Sequence, residues 1–278
     1  MTVKIVTDSG SDISPEVAKE LGITIVPVYI YFGDKVYKDG VDIGPDELYQ
    51  RLEHDPIYPT TTQPMPADFA RTYSYLSQDA DAIVSIHLPT RVSGTYNAAL
   101  QGFTIAKPKC DVHVVDGLSV SVGLGVVTTA AARVARAGGK LAEVLEETQN
   151  AISQTQIRGL LDTLHYLLKG GRITRAKALV GALLNVKPIL KMREGEIVQA
   201  GMVRSYAKGI ERLFEFVKSY PSLQEVAIAH STVPEEAKTL KKRIASVIDE
   251  KRIQMFRIGA GLGVHGGPGT LIVAARSG

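Results

Sequence analysis

The stretch VKIVTDSGSDISP, residues 3–15, contains the pattern that decides the fold of the first half of the chain. Residues 3–6, Val-Lys-Ile-Val, are a short run rich in β-branched side chains, as in a strand, and small polar turn residues follow them. Ser14 and Pro15 then form a typical helix start, because serine caps the first turn and proline fits its first position. The stretch predicts a strand, a loop and a helix in that order.

The same order recurs through the first half of the chain. Further β-branched runs, each followed by turn residues and a helical pattern, cover residues 23–32, 82–88 and 112–115. The predicted helices span residues 15–21, 45–52, 67–76, 94–105, 123–137 and 141–154. Strands that alternate with helices predict an α/β domain built on a parallel, Rossmann-like sheet.

The pattern changes near residue 160, where we predict a domain boundary. Residues 187–192 and 197–203 are typical of a β-hairpin around Glu194-Gly195, which is an antiparallel element. The remaining predicted elements are helices over 207–220 and 234–248 and strands over 226–230, 254–258 and 270–276. We therefore predict an N-terminal α/β domain over residues 1–160 and a C-terminal α+β domain over residues 161–278.

Composition excludes several classes of protein. With 45% hydrophobic and 22% charged residues, the 278-residue chain lies within the range of globular proteins and outside the disordered and fibrous classes. The 32 Lys and Arg residues barely exceed the 29 Asp and Glu residues, so the net charge of +3 does not indicate a nucleic-acid surface. We expect no nucleic-acid partner.

The sequence also bears on where the protein works. Cys110 is its single cysteine, which excludes an internal disulfide and a multi-cysteine metal site and fits a reducing compartment. The first residues lack the long apolar core of a signal peptide. The weakly polar run at 118–132 is shorter than the ~20 apolar residues that a spanning helix needs. We expect a cytoplasmic protein without an integral membrane segment.

Three polar loop clusters lie where predicted strands end, which is where ligands bind in parallel sheets. Residues 7–12, TDSGSD, offer carboxylates and hydroxyls but equally form turns and helix caps. Residues 59–64, PTTTQP, either present hydroxyls on a rigid loop or serve as a plain extended connector. Residues 89–96, PTRVSGTY, lead into a helix start whose N–H groups favour an anion, and Ser93 can also be a simple N-cap.

The fourth cluster is the glycine-rich segment GAGLGVHGGPG, residues 259–269. A dinucleotide-binding fingerprint requires a following helix and an acidic residue ~20 positions later, whereas Pro268 and a strand follow here. His265 can donate a hydrogen bond in either protonation state, or it is satisfied by the local backbone. The other histidines lack metal-ligand spacing, so we expect no metal site.

Residues 169–177, KGGRITRAK, form a compact basic segment around a glycine turn. Such a run is either a solvated helix start or a place where an arginine binds an anion. Arg172 is the candidate for the second role, because a guanidinium group matches carboxylate and phosphate oxygens with two hydrogen bonds.

Together these segments resemble the DegV family of bacterial fatty-acid-binding proteins, from the first strand to the last loop. The resemblance rests on six motifs in combination: Asp8-Ser9 with Asp12, Thr61-Thr62-Gln63-Pro64, Ser93-Gly94-Thr95-Tyr96, Gly170-Gly171-Arg172-Ile173, Lys187-Pro188-Ile189-Leu190 and His265-Gly266-Gly267-Pro268-Gly269. It implies a two-domain protein that holds one long-chain fatty acid in a tunnel between its domains, with the carboxylate at the mouth and the chain buried.

The resemblance also implies roles for individual residues. Thr62 and Ser93 would bind the carboxylate, with Thr61 and the Gly94 backbone nearby, and His265 would belong to the same site. Thr62 stands where serine is common in the family, which keeps the hydroxyl. Gly117 stands where serine is usual, and the resemblance gives no roles to Asp116, Ser119 and Ser121.

Some members of this family are the binding subunit of a bacterial fatty acid kinase. They present the carboxylate to a separate ATP-dependent kinase protein and carry the acyl phosphate away, without being catalysts themselves. The resemblance therefore implies a lipid-binding protein that is not an enzyme and needs no cofactor besides its bound fatty acid. Arg172 would then meet the phosphate or the kinase partner.

The physical chemistry of a fatty acid agrees with this expectation. Each buried CH₂ contributes about 0.8 kcal/mol, so the tail supplies the affinity. A carboxylate beside an apolar tunnel must be hydrogen-bonded, and hydroxyls with helix-start N–H groups supply those bonds. With no Trp and 6 Phe residues in the chain, we expect Leu, Ile, Val and Ala to line the tunnel, including residues 179–184 and Ile189.

The alternative function is a serine hydrolase that acts on acyl esters. Ser93 would be its nucleophile, His265 its base and Asp8 or Asp116 the group that orients the histidine. Ser93 lacks a Gly-x-Ser-x-Gly nucleophile elbow, and Thr62 and Arg172 would have no role in such an enzyme. A pure nucleotide-binding module is less favoured, because the sequence has no Gly-x-x-x-x-Gly-Lys-[Ser/Thr] loop.

Overall fold

The computed structural model describes residues 1–173 and 186–278. The N-terminal strands are β1 (Val3–Asp8), β2 (Ile23–Val26), β3 (Tyr29–Phe32), β4 (Lys35–Lys38), β5 (Thr60–Thr62), β6 (Ala82–His87) and β7 (Asp111–Asp116). The helices between and after them are α1 (Pro15–Leu21), α2 (Pro45–His54), α3 (Pro66–Leu76), α4 (Thr95–Ala106), α5 (Val122–Arg136) and α6 (Leu141–Gln154). The predicted helices of this half are present, with ends that differ by a few residues.

The C-terminal part contains both strands and helices. Its strands are β8 (Thr155–Leu160), β9 (Lys187–Arg193), β10 (Glu196–Val203), β11 (Leu223–His230), β12 (Ile253–Arg257) and β13 (Leu271–Ser277). Its helices are α7 (His165–Lys169), α8 (Tyr206–Lys218), α9 (Pro234–Ile244) and α10 (Ala260–Gly266). Within the described ranges, no helix is long and apolar enough to cross a membrane.

A four-stranded parallel sheet in the order β2-β1-β6-β7 forms the centre of the N-terminal part. Its inner strands β1 and β6 carry apolar side chains on both faces, with helices α3 and α4 packed against one side. The carboxyl ends of β1, β6 and β7 lie at Asp8, His87 and Asp116, so the loops that follow them meet at one edge of the sheet. The predicted parallel α/β architecture is confirmed.

The run that we predicted as one strand over residues 23–32 is two strands in two sheets. β2 ends at Val26, Pro27 follows, and β3 then pairs with β4 and β5 in a separate three-stranded antiparallel sheet. Pro27 cannot donate a backbone hydrogen bond to a sheet, which is the physical reason for the break. The three threonines at 60–62 form the short strand β5 rather than an irregular loop.

The second large sheet has six strands in the order β10-β9-β8-β13-β11-β12. Only the β11–β12 pair is parallel among these described strands, and the predicted α+β class of the second half is confirmed. The hairpin β9–β10 turns at Glu194 and Gly195, which both have positive φ. Strand β8 lies before the predicted boundary at residue 160 and pairs within this sheet; the position of the boundary stays a prediction.

Helix α5 joins the two parts of the molecule. Its residues 122–132 are all buried, which is typical of a helix enclosed on every side. Val122 and Val126 pack with Ala229 and Ala274 of the six-stranded sheet, while Leu124 and Val127 pack against the core of the parallel sheet. Small Gly, Ala and Thr side chains allow this close approach from both directions.

The glycine-rich segment after β12, for which we predicted no helix, is partly helical. Residues 260–266 form the short helix α10, which carries His265 near its end. The reason lies in the N-terminal part, because the carboxylates of Asp12 and Asp39 accept hydrogen bonds from the backbone N–H groups of Gly259 and Ala260. These long-range acceptors satisfy N–H groups that a helix start otherwise leaves without a partner.

Candidate functional site

A cavity lies where the carboxyl edge of the parallel sheet, strand β5, helix α10 and the six-stranded sheet meet. It contains about 1050 Å³ of space between protein atoms, including solvent at its open side. Its apolar lining includes Leu88, Ile157, Leu161, Leu190, Ile197 and Ile272, and its polar lining includes Thr61, Thr62, Gln63, Ser93, Arg172 and His265. An apolar cavity with a few grouped polar residues is typical of a small-molecule site.

Thr61 and His265 meet in this cavity although 204 residues separate them in the chain. Thr61 Oγ1 lies 2.7 Å from His265 Nε2. Burial, with Arg172 nearby as a smaller contribution, lowers the pKa of His265 to about 4. The imidazole is therefore neutral at pH 7. Its other nitrogen, Nδ1, is buried and has no hydrogen-bond partner among the described residues.

The Gly170-Gly171-Arg172 motif fits around this histidine. A Cβ atom on Gly170 would lie 2.1 Å from His265 Nδ1, so only glycine lets the backbone lie against the ring. Gly171 has φ +70, which favours glycine and turns the chain. Arg172 then donates to the carbonyl oxygens of Gly170, at 2.6 Å, and Val92, at 3.4 Å. The arginine thus connects the histidine's surroundings to the loop that contains Ser93.

Ser93 is not the N-cap of α4, because Gly94 occupies that position and α4 has no side-chain cap hydrogen bond. Its Oγ accepts from the Thr95 backbone N–H, two residues later, at 3.3 Å and lies 2.7 Å from Thr95 Oγ1, just before α4 begins. The same side chain lines the cavity. Gly94 lies beside it against the Gln63 side chain, where an added Cβ would be 3.1 Å from Gln63 Cδ.

Other predicted residues fall in different places. Thr62 lines the cavity as an exposed residue at its open side. Ile189, expected in the tunnel wall, packs instead in the core of the six-stranded sheet, and its neighbour Leu190 lines the cavity, because successive side chains of a strand point to opposite faces. Residues 174–177 of the basic segment and the expected lining residues 179–184 lie outside the described residues.

The serine hydrolase arrangement is not assembled. Asp8 accepts from His87 Nδ1 and the Leu88 N–H, both at 3.0 Å, rather than from His265. Asp116 accepts from the backbone N–H and the hydroxyl of Thr90. Since His265 Nδ1 has no partner in the described part of the chain, no carboxylate there orients this histidine as a base.

Two buried carboxylates that hold α10 were not identified as site residues from the sequence. Asp12 accepts from the Gly259 N–H at 2.8 Å and from Ser121 Oγ at 2.5 Å, which gives Ser121 a structural role. Asp39 accepts from the Ala260 N–H at 2.9 Å. Burial raises the pKa of Asp12 to about 7 and that of Asp39 to about 6, against hydrogen bonds that favour the charged forms. The sequence does not show that these carboxylates lie beside Gly259 and Ala260, because the contacts form between segments that are far apart in the chain.

Gln63 lines the cavity but was not among the residues predicted to bind a ligand. It follows the two threonines that reach the cavity and packs against Gly94, so it links strand β5 to the start of α4. The sequence signal for Gln63 was its place in the Thr61-Thr62-Gln63-Pro64 motif. Among residues 1–173 and 186–278, no group of three His, Cys, Asp or Glu side chains has the arrangement of a metal site.

Comparisons with known proteins extend to the whole chain. A family model described as "uncharacterised protein, DegV family" matches residues 2–277. A DegV domain-containing protein from Deinococcus radiodurans is 35% identical over 277 residues, which cover 99% of this chain and 98% of the relative.

Two solved structures share the fold. A DegV family protein from Thermus thermophilus, described as binding a fatty acid, superposes with a TM-score of 0.91 at 31% identity and covers 100% of both chains. A stearic acid-binding protein from Eubacterium ventriosum superposes with a TM-score of 0.89 at 26% identity, covering 99% of this chain and 98% of the other.

Proposed function

Because this chain belongs to the DegV family over residues 2–277, we propose that it binds one long-chain fatty acid in the cavity. The carboxylate lies among the hydroxyl groups of Thr61, Thr62 and Ser93, and the hydrocarbon chain lies among the Leu and Ile side chains. The observation that carries the proposal is the grouping of these hydroxyl side chains, near His265 and Arg172, in a largely apolar cavity.

The apolar lining suits the tail of such a ligand. At about 0.8 kcal/mol per buried CH₂, a 16-carbon chain contributes on the order of 10 kcal/mol before the cost of association. Leu161, Leu190 and Ile197 belong to the six-stranded sheet and the loop after β8, whereas Leu88 belongs to the parallel sheet's edge. A tail between them touches both halves of the molecule.

The polar residues suit a carboxylate. A neutral His265 can donate through Nε2 to Thr61 Oγ1, which frees the Thr61 hydroxyl hydrogen for the ligand. When the Thr95 hydroxyl donates in its 2.7 Å contact with Ser93, Ser93 Oγ accepts from both the hydroxyl and the N–H of Thr95, and its own hydrogen is available for a ligand oxygen. Hydroxyl groups can donate hydrogen bonds to a buried carboxylate without carrying a positive charge themselves. The same hydroxyls can therefore also bind the head group after it becomes an acyl phosphate.

We further propose that the protein presents the carboxylate to a separate ATP-dependent fatty acid kinase in the cytoplasm and carries the acyl phosphate, without catalysing the transfer. Thr62 is exposed at the open side of the cavity, where a partner can approach the head group. Arg172 lines the same cavity and supplies a positive charge that suits the added phosphate.

The test of fatty-acid binding needs only the purified protein. Organic-solvent extracts of fresh protein are analysed by mass spectrometry, and delipidated protein is then titrated with palmitate and oleate. The expected result is one fatty acid per chain in the extract or saturable binding at one site. Extracts without fatty acid, together with no binding of either added ligand, would overturn the proposal.

A further inference from the structure

Four polar side chains form a hydrogen-bonded network in the parallel sheet and the helix packed against it. Tyr73 OH lies 2.8 Å from Ser85 Oγ, Ser85 Oγ lies 2.6 Å from His87 Nε2, and His87 Nδ1 lies 3.0 Å from Asp8 Oδ2. All four residues are 0% exposed. None of them lines the cavity. They therefore act on a ligand only through other residues.

A single assignment of donors and acceptors satisfies every contact of this network. The two Asp8 oxygens accept from the Gly10 and Leu88 N–H groups, and with its hydrogen on Nδ1 His87 donates to Asp8 Oδ2 as well. In this tautomer His87 accepts at Nε2 from the Ser85 hydroxyl, and Ser85 in turn accepts from the Tyr73 hydroxyl. Burial raises the pKa of Tyr73, which keeps its hydroxyl protonated as a donor. Every link is satisfied, as a buried polar network requires.

Asp8 connects this hydrogen-bonded network to two loops of the cavity wall. Its carboxylate accepts from the Gly10 N–H and from the Leu88 N–H, each at 3.0 Å, and both residues line the cavity. Pro89, the next residue after Leu88, accepts at its carbonyl from the N–H groups of Val92 and Ser93, each at 3.0 Å. An unbroken series of hydrogen bonds and one peptide link thus runs from His87 to the backbone of Ser93.

We propose that His87 and Asp8 are positioning residues for the head-group side of the cavity. They fix the loop at residues 88–93 so that the Ser93 hydroxyl faces the carboxylate. This inference rests on the proposed fatty-acid binding and names the residues that orient its polar site. The parallel sheet does not need these hydrogen-bonded side chains for its core, because the other residues of β6 are apolar and are buried on both faces. Replacing hydrogen-bonded buried polar partners by apolar residues of the same shape can be nearly neutral for stability.

The test compares two ligands that differ only in the head group, palmitate and hexadecanol. His87→Leu removes the donor to Asp8, whereas His87→Asn keeps an N–H close to the Nδ1 position. We expect His87→Leu to weaken palmitate binding about 10- to 100-fold, as for a lost hydrogen bond to a charged group. Hexadecanol binding should change less than about threefold, and His87→Asn should recover most of the palmitate affinity.

Thr148→Val is the matched control, because Thr148 is a buried residue on α6 whose hydroxyl donates to the Val144 carbonyl and which does not line the cavity. It should leave both affinities unchanged. Equal losses for palmitate and hexadecanol in His87→Leu would show a purely structural role, and unchanged palmitate binding would also overturn the inference. If His87→Leu does not fold, Asp8→Asn, which leaves one oxygen in place of the two that accept from Gly10, His87 and Leu88, decides the same question with the same two ligands. Wild-type protein that binds neither ligand would instead contradict the proposed function.

Discussion

Thr61 Oγ1 and His265 Nε2 lie 2.7 Å apart and join a strand of the small antiparallel sheet to a helix near the end of the chain. The contact places a hydroxyl from one half of the molecule against a neutral imidazole from the other. Because the pKa of His265 is lowered to about 4, this pair offers a carboxylate hydrogen-bond donors and no formal charge at pH 7. The head-group side of the cavity is therefore polar and uncharged at this contact.

The first prediction concerns the hydroxyl groups of this site. Ser93→Ala, Thr62→Val and Thr61→Val should each weaken palmitate binding by roughly 1–3 kcal/mol, because each removes a hydrogen bond to a charged group. Isothermal titration calorimetry on delipidated protein measures the change. Thr104→Val, an exposed hydroxyl on α4 that bonds the Leu100 carbonyl, is the control and should have no effect. Unchanged affinity in all three site variants would remove these residues from the site.

The second prediction separates a carrier from a hydrolase. Ser93 contacts Thr95, and His265 Nδ1 has no partner in the described residues, so the serine lacks an oriented base. The purified protein should not turn over acyl esters, and a serine-reactive phosphonate probe should not label Ser93, as judged by intact-protein mass spectrometry. Stoichiometric labelling that Ser93→Ala abolishes would contradict the proposal of a non-catalytic carrier.

The third prediction uses the buried carboxylate of Asp12. Its pKa rises from 3.8 to about 7 on folding, so between these values the folded state holds a proton that the unfolded state has lost. By linkage, this group lowers the free energy of unfolding as pH rises from about 4 to about 7. Asp12→Asn should remove that effect, since its amide oxygen can still accept from Gly259 N–H and its NH₂ can face Ser121 Oγ.

The measurement is urea unfolding of wild type and Asp12→Asn from pH 4 to pH 8. The variant should match wild type near pH 4 and become more stable toward pH 7, by on the order of 4 kcal/mol at most. Asp34→Asn changes an exposed carboxylate and serves as the control. A stability difference that stays constant with pH, or that grows on acidification, would show that Asp12 is not a raised-pKa group.

The sequence alone predicts the parallel sheet, the order of its helices and the loops that reach the cavity. It predicts them because strand and helix periodicity and capping are local properties, as at Ser14-Pro15. The break at Pro27 was also encoded locally, but two short runs separated by two residues resemble one long strand. Thr61, Thr62, Ser93, Arg172 and His265 all line one cavity, although their roles toward a ligand stay predictions.

Contacts between distant segments could not be predicted in the same way. His87 alternates with apolar residues in a strand, and only the pairing of β6 with β1 shows that it meets Asp8. Likewise, a glycine-rich segment became helix α10 because Asp12 and Asp39 hold its first N–H groups from the other half of the molecule. The face occupied by Ile189 or Leu190 depends on strand register, which composition does not determine.

The last prediction concerns Arg172 and the kinase partner. Arg172 donates to the carbonyls of Gly170 and Val92, and these contacts use two of its five N–H groups, so donors remain for an anion in the cavity. An acyl phosphate has more negative charge and more acceptor oxygens than a carboxylate, so the guanidinium should matter most after phosphoryl transfer. Arg172→Ala should leave the palmitate dissociation constant within about threefold of wild type. With a cognate kinase and ATP, it should lower acyl-phosphate formation at least about tenfold, and His265→Ala should act on the same step.

Arg193→Ala, which removes an exposed arginine of strand β9, is the control for a simple loss of charge and should support normal acyl-phosphate formation. Acyl phosphate is trapped with hydroxylamine and counted, and palmitate binding is measured on the same preparations. Equal losses of binding and phosphorylation in Arg172→Ala would show that the arginine only holds the loop at Val92, since its two backbone contacts would then be its whole function. Full activity in the variant would show that the charge at this position has no part in the reaction.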